Sequence, residues 1–453
     1  MINLSLLAIA EMTSGQLKGS DHQIHQVSTD TRRIETGSLF VALKGERFDA
    51  HAFIEQAVSA GASAVVVEHE VDADVAQIIV DDTRVALGKI AKGVKALCDV
   101  KTIAITGSCG KTTVKELLQS ICQLAGNTLA TKGNLNNDIG VPLTLLELTA
   151  EHEYAVVELG ANHIGEIAYS VDLVKPDVAL VNNVSGAHLE GFGSLSGVAQ
   201  AKGEIYSGLS ESGKAVVNYD CEFKQQWQSR LAQLNVTLFS LQNEQADLYA
   251  SNMSMNAFAS QFELNFQGQG YAINLQLPGA HNIANALAAA SCALAAGIDI
   301  QTVVSGLNKN VSVKGRLNRI QITDNLIMID DTYNANKASM QAALDVLANV
   351  EGRKIFVMGD MAELGNYARK EHQDVGNYAR SLGIQDLFTF GEMSLQAQEG
   401  HDSKQHFHQL ETLVTALKAS LDNQPTTILV KGSRSARMER VIEAMKSSGV
   451  AEC

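Results

Sequence analysis

The stretch TIAITGSCGKTTVKELLQSI, residues 102–121, joins an apolar run to a glycine-containing turn and a helical segment. The run TIAIT predicts a buried strand, and a helix is predicted over residues 111–125. A standard phosphate loop, G-x-x-x-x-G-K-[ST], would need a glycine where Ile105 stands. The glycine is instead Gly107, so the sequence carries the shorter form T-G-x-x-G-K-T-T.

This strand, turn and helix predict a binding site for a polyphosphate. Backbone N–H groups converge at such a turn, and the helix N-terminus adds partial positive charge. Lys111 is placed to neutralise phosphate oxygens, and the Thr112 hydroxyl is placed to meet Mg²⁺. The pattern leaves open a chance match, an NTPase switch or motor, and an enzyme that uses ATP to make a bond.

The composition indicates a folded, acidic protein of several domains. The 453 residues are enough for about three domains of roughly 150 residues each. Hydrophobic residues make up 45% and charged residues 19% of the chain, as in ordinary globular proteins. The net charge of −15 disfavours nucleic-acid binding, which usually needs a basic stripe. An anionic nucleotide can still bind where a few cations and N–H groups converge.

The N-terminus and the cysteines favour a cytoplasmic location. The segment LSLLAIAEMTSG lacks a basic n-region and reaches Glu11 after a short apolar run, so we predict an amphipathic first helix rather than a signal peptide. No apolar run reaches the ~20 residues needed to span a membrane. The six cysteines have no C-x-x-C spacing, which favours free thiols; they are Cys98, Cys109, Cys122, Cys221, Cys292 and Cys453.

Alternating strands and helices predict an α/β protein of three domains. A small N-terminal α/β domain is predicted over 1–100, from strands such as GSLFVAL and ASAVVVE with a helix between them. Near-continuous apolar strands between helices predict a central parallel sheet of the P-loop type over 101–314, in which 247–277 forms antiparallel hairpins. A third β-α series predicts a Rossmann-like C-terminal domain over 315–453.

Two residues that follow neighbouring central strands are candidate site residues. Glu158 ends the apolar strand EYAVVELGA, and His188 follows the next strand, so both lie at the edge where ligands of a doubly wound sheet collect. A carboxylate there suits Mg²⁺, which prefers hard oxygen ligands. Lys202, in AQAKGEIY, is by default a solvated helix lysine, and the residues alone indicate no other role.

Ten segments, in the same order along the chain, resemble the ATP-dependent Mur ligases of peptidoglycan synthesis, whose members have three domains. They are TGSCGKTT, KGNLNNDIGVP, VVELGANHIGEI, NNVSGAHLEGFGS, AKGEI, PGAHNIANALAA, KGRLNR, DDTYNAN, VMGDMAELG and VKGSRSARME. The shortened phosphate loop is the form that these ligases use. The resemblance therefore implies that the loop serves bond formation.

Within the family, four segments are most similar to the member that adds D-alanyl-D-alanine to UDP-N-acetylmuramoyl-tripeptide: STDTRRIETGSLFVALKGERFDAHAFI, DDTYNAN, MGDMAELG and KGSRSARME. The resemblance implies that an acyl phosphate forms and that the products are UDP-MurNAc-pentapeptide, ADP and phosphate. The sibling that adds the third amino acid typically carries D-N-P-R, which is missing from this sequence. That sibling and a folylpolyglutamate-synthase-like ligase are the alternatives. Whether the third residue is meso-diaminopimelate or lysine stays open, as does the general base.

The resemblance also implies roles for individual residues. The implied catalytic residues are Lys111, Glu158, His188 and Lys202, the last matching a lysine that family members carbamylate. The implied Mg²⁺ ligands are Thr112, Glu158, His188 and carbamylated Lys202. The implied ATP contacts are Gly107, Ser108, Cys109, Gly110, Lys111, Thr112, Thr113, Asn282, Asn285, Arg316, Asp331 and Tyr333, with Asn334 and Asn336 nearby. The implied contacts to the UDP substrate are Ser28, Asp30, Arg32, Lys44, Asn134 and Asn137.

The implied ATP contacts are divided between the central and last domains, which indicates that one domain closes on the other. Closure would shield the acyl phosphate from water, and loosening the hinge near 313–315 should speed phosphate release without amide formation. Besides UDP-MurNAc-tripeptide and D-Ala-D-Ala, we expect no nucleic-acid partner, no membrane insertion and a monomer.

Two positions depart from the pattern of this family member. Lys337 stands where proline is usual, and because proline at a helix start only presets a backbone angle, we expect an effect on loop stiffness rather than on chemistry. Ala50 stands where glycine is usual, which affects the local turn if that glycine has a positive φ.

Overall fold

The first sheet has five strands and is followed by a long helix. The computed structural model describes residues 1–45, 48–186, 189–310, 315–399, 401 and 405–447. The strands of the first part are β1 Leu4–Ser5, β2 Gln16–Lys18, β3 Gln23–Ile24, β4 Val27–Ser28, β5 Ser38–Val41, β6 Ala62–Val67 and β7 Ala76–Ile79. The helices of this part are α1 Leu6–Thr13, α2 Ile54–Ser59 and α3 Thr83–Ala96. The order in the sheet is β2-β7-β6-β5-β4, parallel except for β2, while β1 and β3 pair separately.

The middle sheet has nine strands among the described residues. They are β8 Lys101–Thr106, β9 Thr128–Ala130, β10 Tyr154–Glu158, β11 Val178–Val181, β12 Lys214–Asn218, β13 Asn235–Ser240, β14 Leu248–Met255, β15 Ser260–Phe266 and β16 Gln269–Leu275. The helices are α4 Lys111–Ala125, α5 Gly140–Leu145, α6 Glu166–Val174, α7 Leu189–Phe192, α8 Leu195–Gly203, α9 Gln228–Leu231, α10 Ala280–Ala295 and α11 Ile300–Leu307. The order is β16-β15-β14-β13-β12-β11-β8-β10-β9, in which β15 pairs antiparallel with β14 and with β16 and the other neighbouring strands pair parallel.

The last sheet is built from a third β-α series. Its strands are β17 Asn318–Thr323, β18 Leu326–Asp331, β19 Arg353–Gly359, β20 Asp386–Phe390, β21 Gln405–Phe407 and β22 Thr426–Lys431, and its helices are α12 Lys337–Ala348, α13 Ala368–Ser381, α14 Gln396–Glu399, α15 Leu410–Ala419 and α16 Glu439–Lys446. The order is β17-β18-β22-β19-β20-β21, with β17 as the antiparallel edge strand.

The three sheets do not pack on one another equally. One apolar core, from Leu4 to Trp227, joins the first sheet to one face of the middle sheet, and α3 contributes Leu87, Ile90 and Val94 to it. The two cores of the last sheet contain, among the described residues, none before Leu317. Buried apolar surface therefore holds the first and middle parts together, whereas the last part has its own apolar core.

The predicted α/β class is confirmed, including the antiparallel strands β14–β16 and the amphipathic first helix α1. Two predicted helices contain 3₁₀ turns. Several strands were not predicted, among them β9, β13, β17 and β21. The 3₁₀ turns are Thr31–Arg33, Ala50–Phe53, Glu204–Gly208, Lys224–Trp227, Gly365–Tyr367 and Arg434–Ala436. Within the described ranges, the cysteines Cys98, Cys109, Cys122, Cys221 and Cys292 are free thiols, and no helix has the length and apolarity needed to cross a bilayer.

Candidate active site

The phosphate loop leaves the middle sheet from a central position. β8 lies between β10 and β11, with Glu158 opposite Ile105 and Val181 opposite Thr106 in the parallel register. Parallel strands bring their carboxyl ends to one edge of a sheet. The ends of β8, β10 and β11 therefore surround the start of α4, where a ligand of such a sheet is expected.

Gly110 makes the tight turn into α4. Its φ of 76° lies in the left-handed region that favours glycine. A Cβ at this position would lie 2.4 Å from Asn285 Oδ1, on the neighbouring helix α10. Asn285 is buried, and its Oδ1 also accepts a hydrogen bond from Asn182 Nδ2 at 2.9 Å. Two of the predicted ATP contacts, Gly110 and Asn285, therefore lie against each other at the loop.

Polar residues that follow β11 hold the loop in place. Cys109 N donates to Asn183 Oδ1 at 2.8 Å, and Cys109 O accepts from Asn182 Nδ2 at 3.0 Å and from Asn183 Nδ2 at 2.9 Å. Ser108 Oγ donates to Ser185 O at 3.0 Å and accepts from Ser185 N at 2.9 Å. The prediction omitted Asn182, Asn183 and Ser185. The polar run NNVS directly after a buried strand was the signal that could have found them.

Lys111, the first residue of α4, lies over the loop. Its Nζ donates to Gly107 O at 2.8 Å. Withdrawal from water lowers the pKa of Lys111, and the negative charge of Glu158 opposes that shift. Arg316, from the last sheet's part of the chain, is close enough for its charge to lower the same pKa further. The charge of Arg316 thus adds to that of Lys111 near the loop, which suits a polyphosphate.

Glu158 is held by three neighbours at the end of β10. Its side chain is buried, at 2% exposure. Glu158 Oε2 accepts from Thr112 Oγ1 at 3.0 Å, and Oε1 accepts from Asn136 Nδ2 at 2.7 Å. The backbone N of Glu158 donates to Thr131 Oγ1 at 2.9 Å. These contacts fix the orientation of the carboxylate beside the phosphate loop.

Asn136 is a site residue that the prediction missed. Its backbone O accepts from Gly160 N at 2.7 Å, so its loop is fastened to the end of β10. Asn134 and Asn137, which were predicted to contact the UDP substrate, are exposed, and Asn137 Oδ1 accepts from Gly140 N at 2.8 Å at the start of α5. The segment KGNLNNDIGVP indicated the loop but not which asparagine faces the carboxylate.

The Thr112 hydroxyl and the Glu158 carboxylate form a donor pair that suits Mg²⁺. Both are hard oxygen donors, and both side chains are buried at the mouth of the loop. Across the described ranges, no group of three or more His, Cys, Asp or Glu side chains is gathered around one point. Mg²⁺ usually keeps waters and substrate phosphates beside one or two carboxylates, so this sparse set fits. Of the two other predicted ligands, His188 lies outside the described residues and Lys202 lies on α8.

Lys202 is buried rather than solvated. Its side chain is 2% exposed, and its Nζ lies 5.8 Å from the centre of the Phe192 ring. Burial lowers the pKa of Lys202 to about 7, and the positive charge of Lys111 adds to that shift. The default interpretation of a solvated lysine is wrong because small neighbours let the helix pack closely: a Cβ on Gly203 would lie 2.3 Å from Trp227 Cδ1.

The last sheet presents a second group of predicted residues. Arg316 stacks on Tyr333, with Cζ 4.5 Å from the ring centre, and its buried Nε has no hydrogen-bond partner among the residues that the structure describes. Asp331 Oδ2 pairs with Lys431 Nζ at 2.5 Å, and Asp331 Oδ1 accepts from Leu317 N at 3.2 Å. Lys431, which the prediction omitted, is buried and balances the charge of Asp331.

The two groups meet through side-chain contacts. Asn336 Nδ2 donates to Cys109 Sγ at 3.1 Å, while Asn336 Oδ1 caps α12 by accepting from Ser339 N at 2.9 Å. Asn282 is buried on α10, where its Oδ1 accepts from Asn285 Nδ2 at 3.2 Å. Asn334 is exposed, and its backbone O accepts from Lys431 Nζ at 2.9 Å. The site is thus assembled from both the middle and last parts of the chain.

Comparison with known proteins agrees with this geometry along the whole chain. Residues 23–95, 105–293 and 315–434 match family models described, in that order, as Mur ligase family catalytic domain, Mur ligase middle domain, and Mur ligase glutamate ligase domain. The UDP-N-acetylmuramoyl-tripeptide--D-alanyl-D-alanine ligase of Escherichia coli (strain K12) is 47% identical over 450 residues, which cover 99% of this chain and 100% of that protein. The chain belongs to the Mur ligase family.

Solved structures of other Mur ligases have the same fold. A crystal structure of MurF from Acinetobacter baumannii superposes with a TM-score of 0.93 at 38% identity and covers 97% of this chain and 98% of that one. The MurF ligase of Thermotoga maritima in complex with ADP superposes with a TM-score of 0.84 at 26% identity, covering 94% of this chain and 98% of that one. The predicted resemblance to the family and the predicted three-domain fold are confirmed.

Four of the residues that the Mur ligase resemblance assigned to UDP lie in the first part of the chain, and three of these, Ser28, Asp30 and Arg32, contact one another. Arg32 Nε donates to Asp30 Oδ1 at 2.9 Å and Arg32 Nη2 to Asp30 Oδ2 at 2.7 Å. Ser28 Oγ donates to the backbone O of Asp30 at 2.9 Å, and Lys44 Nζ lies 3.4 Å from Glu68 Oε2. These are local contacts, and binding of UDP by this group stays a prediction.

The two departures from the family pattern have structural explanations. Lys337 opens α12, and its Nζ pairs with Asp374 Oδ2 at 2.5 Å and Glu371 Oε1 at 3.3 Å on α13. Burial acts to lower the pKa of Lys337, but these carboxylates outweigh it and raise the pKa. Ala50 begins a 3₁₀ turn and has no positive φ, so this position does not require glycine.

Proposed function

We propose that this Mur ligase joins D-alanyl-D-alanine to UDP-N-acetylmuramoyl-tripeptide at the expense of ATP. The products are UDP-MurNAc-pentapeptide, a precursor of peptidoglycan, together with ADP and phosphate. The observation that carries the proposal is the pair of buried residues Thr112 and Glu158, held by half-buried Asn136, at the mouth of a short phosphate loop. It lies in a chain whose full length matches a ligase of this specificity.

The first step activates the terminal carboxylate of the tripeptide. A carboxylate oxygen attacks the γ-phosphorus, the bond to the β-phosphate oxygen breaks, and ADP leaves. Two anions must approach each other, so the site has to offset their repulsion. Lys111 and Arg316 supply positive charge from two sides, and the backbone N–H groups of the loop hold the phosphates. Held by Thr112 and Glu158, Mg²⁺ would neutralise phosphate oxygens.

Lys202 is suited to become a second anionic ligand. With a pKa of about 7, much of its amine is unprotonated at neutral pH. A neutral amine can add CO₂, forming an N–C bond and releasing one proton, which turns the cation into a carbamate. The buried setting beside Lys111 favours this exchange, because it replaces repulsion between two cations by attraction.

The second step forms the amide bond. The amine of D-Ala-D-Ala attacks the acyl carbon, a tetrahedral oxyanion forms, and the C–O bond to phosphate breaks as phosphate leaves with the bonding electrons. The amine loses a proton in this step. Because Lys111 and Arg316 flank the loop, they are placed to stabilise the leaving phosphate.

Movement of the last domain would complete the site. Its residues reach the phosphate loop through polar contacts such as that of Asn336 with Cys109, and its cores are separate from those of the rest. Gly315, with a φ of 71°, accepts a hydrogen bond from Tyr333 N at 3.1 Å and is the described residue of the predicted hinge; residues 313 and 314 lie outside the described ranges. Closure would keep water from the acyl phosphate.

The test is a ligation assay with each substrate omitted in turn. With ATP, Mg²⁺, UDP-MurNAc-tripeptide and D-Ala-D-Ala, the protein should release one phosphate for each pentapeptide formed. Phosphate release is measured by phosphate detection, and the pentapeptide is identified by its mass. The shorter dipeptide precursor with a diamino acid tests the sibling reaction. Full phosphate release without the amine, or product only from the dipeptide precursor, would contradict the proposal.

A further inference from the structure

The segment between β9 and α5 carries Asn136, whose Nδ2 donates to Glu158 Oε1 at 2.7 Å. We call residues 131–139 the asparagine loop. The structure describes all of these residues, and none of them belongs to a helix or a strand, so no regular ladder of backbone hydrogen bonds fixes their path. The direction in which Asn136 points therefore depends on the contacts that fasten the two ends of this loop.

The first end of the asparagine loop is fastened to the middle sheet. Thr131 Oγ1 accepts from Glu158 N at 2.9 Å, and Asn136 O accepts from Gly160 N at 2.7 Å. A Cβ on Gly160 would lie 3.0 Å from Asn136 Cγ, so the asparagine side chain packs directly against this glycine. These contacts bring Asn136 to the end of β10.

The second end of the asparagine loop is fastened to the first part of the chain. Asp138 forms an ion pair with Arg84, the second residue of α3, and the two side chains are 25% and 48% exposed. The start of α3 is itself fixed, because Asp82 Oδ1 accepts from Arg84 N at 2.8 Å and from Val85 N at 2.9 Å. The guanidinium of Arg84 therefore reaches the loop from a capped helix end.

Helix α3 is a firm support for this ion pair because it packs closely on the middle part. A Cβ on Gly88 would lie 2.3 Å from Tyr169 Oη, on α6. Leu87 and Ile90 of α3 are fully buried in the core that the first and middle sheets share. Such close packing leaves α3 little freedom to follow the asparagine loop if the loop moves.

A second ion pair joins α3 to the middle part at a different place. Lys92 Nζ lies 2.7 Å from Asp172 Oδ2, on α6, and these side chains are 42% and 53% exposed. Both pairs start from one helix, join the same two parts and are partly hydrated. Of the two, the pair of Arg84 ends on the loop that carries Asn136, so a comparison of the pairs separates a role in the site from a role in holding the parts together.

We propose that Arg84 is a positioning residue for the ligation reaction: by pairing with Asp138 it holds the asparagine loop where Asn136 can orient the Glu158 carboxylate. This inference rests on the proposed ligase function. Asp138 follows Asn136 by two residues, so its release frees the loop next to the side chain that must face the carboxylate. Glu158 would then keep Thr112 as its steady side-chain donor, and its hold on Mg²⁺ would weaken.

The first measurement is hydrogen–deuterium exchange of the full-length protein without nucleotide or Mg²⁺. Arg84→Met removes the guanidinium and keeps an unbranched side chain. The amides of residues 131–140 should exchange about two- to fivefold faster, as for the loss of a partly exposed ion pair. Asp138→Ala should give a similar increase, and combining the two substitutions should add nothing further. Lys92→Met is the matched control and should leave exchange in this segment unchanged.

The second measurement is a Mg²⁺ titration of the ligation assay. In Arg84→Met the half-saturating Mg²⁺ concentration should rise about two- to fivefold, while kcat at saturating Mg²⁺ stays within about twofold. Arg84→Lys keeps a cation and should recover most of the wild-type value. Lys92→Met should not change the Mg²⁺ requirement, since its partner lies on α6 rather than on the asparagine loop.

Three results would overturn the inference and leave the ligase function intact: unchanged exchange in Arg84→Met, an unchanged Mg²⁺ requirement in that variant, or equal effects in Lys92→Met. Each would show that the Arg84 pair only joins the two parts of the chain. If Arg84→Met did not fold, Arg84→Lys and Asp138→Ala would decide the same questions. Absence of ligation by the wild-type protein would instead overturn the proposed function and, with it, the role of Arg84 in that reaction.

Discussion

The residues around the phosphate loop and those predicted to hold UDP differ in how far their charged side chains are exposed to water. Glu158 and Lys202 are each 2% exposed, and both lie beside another ionisable or polar group in the interior. Arg32 and Lys44, in the first domain, have side chains 82% and 56% exposed. The first pair is removed from water at a cost, whereas the second pair stays hydrated.

This contrast indicates that the phosphate loop depends on its electrostatic environment to function. The predicted UDP group needs only a shape that is complementary to its ligand. Burying a charge is unfavourable unless a partner compensates, so the buried Glu158 and Lys202, together with half-buried Lys111, indicate that a ligand supplies the missing charge. An exposed pair such as Asp30 and Arg32 is screened by water and adds little to stability. Substitutions should therefore have large effects at the loop and small ones in the first domain.

The largest effect is expected for Lys111→Ala. Without this cation the carboxylate and the γ-phosphate repel each other, so kcat should fall about 10³-fold or more, as for the loss of a charge that stabilises a phosphoryl-transfer transition state. The fall in kcat is measured from the rate of phosphate release, and circular dichroism checks that the variant is folded. Lys92→Ala, which removes an exposed ion pair with Asp172, is the control. If Lys111→Ala kept full turnover, the loop would not be more sensitive to substitution than the first domain, and the contrast between the two regions would be contradicted.

Lys202→Met should come next, with a fall of about 10²-fold or more in kcat, because the buried anionic ligand cannot form. The variant should also change the dependence of stability on pH. In unmodified protein the pKa of Lys202 is about 7, below its unfolded value, so the unfolded chain binds more protons above pH 7. Stability should rise from pH 7 toward pH 10 in CO₂-free buffer, and this rise should be absent in Lys202→Met. Urea unfolding at several pH values measures it; equal slopes would show that the amine is not buried in solution.

Asn136→Ala should have an intermediate effect. The Glu158 carboxylate would lose one of its two side-chain donors but keep Thr112, so we expect kcat to fall about 10- to 100-fold and the half-saturating Mg²⁺ concentration to rise. A Mg²⁺ titration of phosphate release measures both. Asn235→Ala, which truncates an exposed asparagine on β13 outside the site, is the matched control. If the two variants had the same kcat and the same half-saturating Mg²⁺ concentration, Asn136 would not be part of the site.

The smallest effect is expected for Asp30→Asn. The hydrogen bond from Arg32 holds the pKa of Asp30 at about 2, so the carboxylate stays charged at every working pH. Its substitution should raise the KM for the UDP substrate about two- to fivefold, and the melting temperature should not change, since the pair is exposed. Initial rates across substrate concentrations measure the KM. A loss as large as that of Lys202→Met would show that exposure is a poor guide to function here.

Much of the fold followed from local sequence patterns. The helix predicted over 111–125 is α4, because the loop glycines, an N-terminal lysine and an apolar stripe all mark the same segment. β13, NVTLFS, was missed, since it follows an irregular region and only its last two residues are buried. Antiparallel β17, NRIQIT, alternates polar and apolar residues, but it lay within a segment interpreted only as the start of a domain.

The site was predictable where backbone geometry determines it and less so in loops. Gly110, Lys111, Thr112 and Glu158 follow from strand ends and a helix start, which is why they come together as expected. Asn136 lies in a loop without periodicity, so nothing in its sequence shows which side chain points inward. The burial of Lys202 depends on Trp227, which is distant in sequence and donates from Nε1 to Ala199 O at 2.8 Å.

The apolar interior shared by the first and middle sheets has a mechanical consequence for a long substrate. Because that interior joins the two parts, the end of the molecule that carries Asp30 and the end that carries Lys111 cannot slide past each other. A peptide one residue shorter would leave its carboxylate about 3.5 Å short of the phosphate. The shared interior therefore holds the first and middle sheets in a fixed relation, whereas the last domain has an interior of its own.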